Sequence, residues 1–299
     1  MITHPTRPCR RGIIILELFS GYASHGQTIQ NILEQYCFWA RDSKTDQPLL
    51  IPDVQLLTLD RDFTPPEAAK RPTHFRVDAL GLTAANIKLL LELYEEKEFI
   101  ILASPPCQNY STMNSLFHKK PLSVRKRLLQ QSDALVKVVK TIHDAILAAD
   151  RRVVTILDNP ASGRLKDRAV IKWINTFHFD VDYCQYRGAI KKKTRFWTSI
   201  DLTQYGFTPE ICPGWPGCKA MMPPKEDPKR QATHVEYETG PIKSSHKRSR
   251  IPELLSHKIG QALVTFYESH RKTYEANMVR TRPLVGHDPE PEKILRKKN

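Results

Sequence analysis

The residue with the clearest chemical potential is Cys107. It lies in Ser104-Pro105-Pro106-Cys107-Gln108-Asn109-Tyr110-Ser111, directly after the apolar run Glu98 to Ala103. Two prolines stiffen this segment and fix where the thiol points. A thiol at a strand end, in a strongly basic chain, is placed to have a lowered pKa and to act as a nucleophile. A lone cysteine is ordinarily an inert buried thiol; the double proline at a sheet edge reverses that preference. Other polar groups fall at equivalent places. Phe19-Ser20-Gly21 follows the run 12 to 19, Asp60 follows Val54 to Leu59, and Asp78 follows His74 to Val77. Asp158-Asn159-Pro160 follows Val153 to Leu157. Ligands of open α/β sheets bind outside the carboxyl ends of the strands, so this recurrence points to one shared edge.

The elements that must position these residues follow from periodicity. Gly12 to Phe19 is a continuous apolar run, as a buried parallel strand requires, and a helix is expected from about His25 to Tyr36. Residues 84 to 97 carry a helical period through Ile87, Leu90, Leu91 and Tyr94. A long helix is expected from about Ser123 to Ala149, with Leu129, Leu135, Val136, Val139 and Ile142 on its apolar side. Strands alternating with helices predict a doubly wound α/β sheet. From about Ile200 to Arg250 proline and glycine become dense and the helical period is lost, as in Cys212-Pro213-Gly214-Trp215-Pro216-Gly217-Cys218. Such a stretch is longer than an ordinary connection. The expected organisation is a catalytic domain over 1–199, an insert over 200–250, a returning helix over 251–272 and a tail over 273–299 that is disordered at its end.

The ordered set of motifs resembles the cytosine-5 DNA methyltransferase family, in its small phage, viral and eukaryotic-type branch. Ser104 to Ser111 resembles that family's nucleophile loop, and Glu17-Leu18-Phe19-Ser20-Gly21 is similar to its first cofactor motif. Asp60 and Asp78 match its acidic positions after the second and third strands. Asp158-Asn159-Pro160 resembles its Glu-Asn-Val/Pro motif, with the carboxylate one methylene shorter. Lys191-Lys192-Lys193-Thr194-Arg195 stands where the family has Gln-x-Arg-x-Arg, and Gly260-Gln261-Ala262 resembles its closing Gly-Asn-Ala. The resemblance implies a Rossmann-like methyltransferase sheet, S-adenosyl-L-methionine as cofactor and double-stranded DNA as partner. Cys107 would add to C6 of a flipped cytosine, Asp158 would hold N3 and the amine, and Arg195 would support the base or the thiolate. Phe19, Ser20, Gly21, Asp60, Asp78 and Pro105 would hold the cofactor. Gln108, Ser111, Lys191, Lys193, Lys247, Arg248 and Arg250 would contact DNA, with 200–250 as target-recognition region. The alternatives are an RNA cytosine-5 methyltransferase and a catalytically impaired DNA-binding relative.

Bulk properties agree with a polyanionic partner. The chain has 299 residues, a net charge of +14 and a pI near 9.5. Lysines near phosphates release condensed counterions, and clusters such as Lys191 to Arg195 and Lys243 to Arg250 suit that use. The N-terminus lacks the apolar core of a signal peptide and no membrane-length apolar run occurs, so an intracellular protein is expected, nuclear in a eukaryote. Six cysteines at irregular spacing are expected to be thiols rather than disulfides. No metal is expected: Cys212 and Cys218 lack a standard knuckle spacing, and His234 and His246 are distant.

Overall fold

The computed structural model describes residues 12–19, 24–39, 53–61, 74–95, 97–112, 114–187, 192–214, 216–220 and 251–281, the side chains of Ser24, 36–39, Asp53, His74 and 271–281 excepted. Ser20, Gly21, Lys191, Trp215, Lys247, Arg248 and Arg250 lie outside the described residues, as do most of the expected recognition insert, the N-terminus and the tail.

Seven strands form one sheet: β1 (Gly12–Leu18), β2 (Asp53–Asp60), β3 (His74–Arg76), β4 (Glu98–Ala103), β5 (Val153–Pro160), β6 (Phe177–Asp182) and β7 (Lys193–Thr198). Their order is β3-β2-β1-β4-β5-β7-β6. The first five are parallel, and β7 runs antiparallel to both β5 and β6. Helices α1 (Ser24–Trp39), α2 (Ala84–Leu93), the single-turn α3 (Ser115–His118), α4 (Leu122–Ala148) and α5 (Glu253–Thr281) complete the layers. This is the doubly wound, Rossmann-like α/β sheet that the sequence predicts.

The apolar strands are buried on both faces, and their alternation divides the core in two. Ile13 and Ile15 join Leu56, Ile100 and Val154 under α1 and α5. Ile14 and Leu16 join Leu57, Ile101 and Leu157 under α4, whose inner stripe is Val136, Val139, Ile142 and Ile146. Glu17 shares the α1 side and accepts the amide of Gly26 (3.3 Å), placing a carboxylate at the helix's electropositive start. A Cβ on Gly26 would lie 2.6 Å from that carboxylate, so only glycine admits the approach. At the other helix of this layer, a Cβ on Gly260 would lie 2.8 Å from Ile32 Cδ1, which makes Gly260 the close-contact point of α1 and α5.

Three boundaries differ from the sequence expectation. β5 continues through Asp158, Asn159 and Pro160, because β7 pairs with it as far as Pro160↔Thr194. The β6–β7 hairpin carries only short apolar runs and was not anticipated as strands. α5 extends to Thr281 rather than 272, as nothing breaks a helix before Pro283. Among the described residues, no helix is long and apolar enough to cross a membrane.

Candidate active site

The carboxyl ends of β1, β4 and β5 converge. Ser104 continues β4, its amide donating to Leu18 O (3.3 Å) at the end of β1. Its hydroxyl donates to Asp158 Oδ1 on neighbouring β5. The next peptide is fixed as well: Asn159 Nδ2 donates to the carbonyl of buried Pro105 (2.9 Å). The chain then turns, with the amides of Tyr110 and Ser111 both donating to Cys107 O (3.0 and 2.9 Å). Cys107 itself is half-buried, so its thiol is held but reachable.

The turn is tied to α4 from the far side. Asn109 Nδ2 donates to Ser132 Oγ (2.9 Å) and to Leu128 O (3.3 Å). The fully buried Tyr110 donates its hydroxyl to Asp133 (3.0 Å), which also receives the guanidinium of Arg168. Tyr110 O accepts the amide of Arg164 (2.9 Å), past a tight bend where a Cβ on Gly163 would lie 2.9 Å from Pro160 O. Four such bonds on Asn109 and Tyr110, with the Tyr110 and Ser111 amides bonded to Cys107 O, leave the loop little freedom. Asn109, Tyr110, Asp133 and Arg168 were not singled out in the sequence; their signal is the packing of α4, which a linear reading does not show.

The electrostatics centre on Lys192. The Cys107 thiol is raised above its ordinary pKa and not lowered as the sequence suggested: burial pushes it up, the Lys192 ammonium pulls it down, and the Asp158 carboxylate pushes it up again. Burial likewise raises Asp158, which is 8% exposed, against the pull of Lys192 and the hydrogen bond from Ser104. Lys192 therefore acts on both reactive groups. Its Nζ lies over the ring of buried Tyr183, 4.9 Å from the centroid, and its carbonyl accepts the Tyr183 amide (3.2 Å). The sequence reading drew attention to Lys191, Lys193 and Arg195 in this run and passed over Lys192. The period of two finds it once the strand is known: Asp158 faces Phe196 in the ladder, so Thr194 and then Lys192 follow on that face.

Arg195 leaves by the other face, opposite Asn159 and Asp180. Its Nε and an Nη donate to the two oxygens of Asp180 (2.6 and 3.1 Å), a bidentate pair within the hairpin. Lys193 Nζ also approaches Asp180 (3.8 Å). The structure brings Cys107, Pro105 and Asp158 together but does not bring Arg195 to them. Gln108 is exposed, Ser111 is half-buried, and both flank the thiol along the turn.

On the β1–β3 side of the same edge stand the remaining expected groups. Phe19 has φ 59, a left-handed backbone that a bulky side chain adopts at a cost of about 1–2 kcal/mol. Its amide donates to Leu59 O (2.9 Å), which locks that conformation to the end of β2. Asp60 ends β2, half-buried. Asp78 is exposed and caps the short turn Ala79–Gly81, accepting the Leu80 amide (3.0 Å). A cleft of about 350 Å³ lined by Trp173, Thr198, Gln204 and His270 opens elsewhere, beside the amino-terminal half of β5, and contains none of these groups.

The fold and the edge define the class: a doubly wound, Rossmann-like α/β sheet with a cysteine and a buried carboxylate at the carboxyl edge where such sheets bind ligands. No family model matches the chain, and no curated protein does. Among solved structures it is similar to the crystal structure of the S. pombe Dnmt2 methyltransferase, at 11% identity and a TM-score of 0.36. That likeness covers 64% of this chain and 54% of the other, so it spans about half of that protein's length. The class therefore rests on strand order and site geometry.

Proposed function

We propose that this chain transfers a methyl group from S-adenosyl-L-methionine to C5 of cytosine in double-stranded DNA. The observation that carries the reading is Cys107 and Asp158 at the adjoining carboxyl ends of β4 and β5, joined through the Ser104–Asp158 and Asn159–Pro105 bonds, with the charge of Lys192 acting on both. The groups on the β1–β3 side fit the cofactor by their chemistry. Phe19 offers a ring to the adenine, Asp60 an acceptor for the ribose hydroxyls, and Asp78 an acceptor for the adenine amine. The bound cofactor supplies an electrophilic methyl on a sulfonium.

This chain's residues supply the activation of the base. Cytosine C5 is a poor nucleophile until a thiolate adds to C6. Lys192 favours the Cys107 thiolate, and Pro105 and Tyr110 hold it in place. Asp158, whose burial favours the protonated form, donates to N3 as the C6–S bond forms, so the negative charge of the thiolate is not left on the ring. C5 is then enamine-like and takes the methyl group. Loss of the C5 proton to a base re-forms the C5=C6 bond, N3 returns its proton to Asp158, and the Cys107 thiolate leaves. The target carbon is inaccessible in a stacked duplex, so the base must be flipped out. The charge of +14 supports the polyanionic partner.

The test is a covalent trap. Duplex DNA with 5-fluorocytosine cannot lose a proton from C5 after methylation, so the Cys107 adduct should persist as a shifted band on a denaturing gel when cofactor is present. A Cys107→Ser variant that still traps DNA would overturn the assignment. Trapping by an equivalent RNA but not by DNA would move the substrate to RNA.

A further inference from the structure

Three cysteines that the proposed reaction does not use come together at the closed end of the hairpin, past Asp182 and Lys193. Cys184 lies in the 3-10 turn Tyr183–Tyr186 that follows β6, while Cys212 and Cys218 belong to the segment beyond β7. All three are buried and none is in a disulfide. Their sulfur atoms lie within 4.8 Å of one another. Three thiolates on one tetrahedral ion, at about 2.3 Å each, would stand about 3.8 Å apart, so closure needs only a small inward movement.

We infer that Cys184, Cys212 and Cys218 form a zinc-class metal site that fastens the segment beyond β7 to the end of β6. Buried cysteines can also gather as small apolar side chains, and that alternative predicts sulfur atoms packed by carbon. Here Ala220 packs against them, but an amide donor reaches two of the sulfurs and the backbone of the ligands is fixed. Gln185 Nε2 approaches the sulfurs of both Cys218 (3.4 Å) and Cys184 (3.6 Å), an amide aimed at acceptors, as outer-shell groups hold thiolate ligands. The Cys212 amide donates to Asp182 Oδ2 (2.9 Å), and the Cys218 amide to Gly214 O (2.7 Å) across a left-handed glycine with φ 80. Each backbone is thus held before any ion binds. The spacing of Cys212 and Cys218 alone does not announce a metal site; Cys184, brought in by the hairpin, supplies the third ligand. The described residues fill three tetrahedral corners and leave the fourth open. Tyr183, the neighbour of Cys184, carries the ring beneath Lys192, so the site would also brace the wall of the proposed active centre.

The experiment is elemental analysis of the full-length protein purified without chelator. One equivalent of zinc is expected in the wild type and in Cys107→Ser, and its loss in Cys184→Ser, Cys212→Ser and Cys218→Ser. Because a serine variant can lose metal by unfolding, the wild type is also stripped with chelator and titrated with Co²⁺. A tetrahedral d–d spectrum with thiolate-to-cobalt charge transfer, and protection of three thiols from a thiol reagent, are expected. A wild type without stoichiometric zinc that gives no sulfur charge transfer with Co²⁺ overturns the inference. So does an intact mass short by two hydrogens with two of these cysteines joined. These readouts are independent of methyl transfer, so they stand or fall apart from the proposed activity.

Discussion

At the scale of single residues, Lys192 and Asp158 decide the chemistry. Lys192 is the positive group that favours the Cys107 thiolate against burial and against Asp158. Replacing it by methionine should raise the thiol's pKa and slow alkylation of Cys107 by iodoacetamide at pH 8, while Lys192→Arg should restore most of the rate. An unchanged alkylation profile in Lys192→Met would remove Lys192 from the site. Asp158 is shorter by one methylene than the glutamate of the family the motifs resemble. It belongs to β5, is paired across the ladder with Phe196, and is bonded to Ser104. A glutamate there would have to displace the Ser104 contact, and misplacement by a bond length costs about a hundredfold in rate. Turnover in Asp158→Glu should therefore fall, and in Asp158→Ala it should vanish while calorimetry shows cofactor binding intact. A gain in Asp158→Glu would show that the native side chain is too short for its role.

At the scale of elements, the sequence was most readable where strands are apolar and continuous. β1, β4 and the start of β5 announce themselves by runs that no exposed segment would carry, and the groups at their ends follow automatically. The hairpin was not legible in the same way. Lys193 to Thr198 mixes charge and aromatics on alternate faces, and a charged run reads as a solvated loop until its partner strands are known. Arg195 was expected at the reaction centre because the run resembles a family motif; the period of two instead turns Arg195 to Asp180 and leaves Lys192 on the face of Asp158. Helix packing was equally hidden. Gly260 resembled part of a motif, but its physical role is the close crossing with Ile32 of α1. Gly260→Val should force α1 and α5 apart and destabilise the fold by about 1–3 kcal/mol, as overpacking does. Urea denaturation checks this; a midpoint equal to wild type would show that the helices separate without cost.

At the scale of the whole molecule, acid stability is set by a histidine at that same helix junction. His25 is buried, its Nδ1 bonded to Ser256 Oγ (2.8 Å), and burial lowers its pKa from 6.5 to about 4. The folded state keeps the ring neutral while the unfolded chain protonates it below pH 6.5. The stability tied to the neutral ring is therefore complete above pH 6.5 and is lost as pH falls toward 4. The slope is about 1.4 kcal/mol per pH unit, or roughly 3 kcal/mol across the window. Denaturant melts of wild type and His25→Gln at pH 7, 6 and 5 should converge as pH falls, since the variant has no ring to charge. Parallel losses in both proteins would place acid sensitivity elsewhere.

The division of β7 between two faces has a consequence in the language of mutation. Register along the strand is held by Phe196 and Trp197, both fully buried, and by the ladder to β5 and β6. The three consecutive lysines at 191, 192 and 193 precede those anchors. Loss of one codon from that run would be absorbed upstream, and the position two residues before Thr194 would still be occupied by lysine. A codon lost at Thr194 has no such refuge: it would place Lys193 before Arg195 and draw the basic run one step along the strand. The lysine repeat thus gives the gene a short tract where an in-frame slip is chemically silent, bordered by a position where the same slip is not.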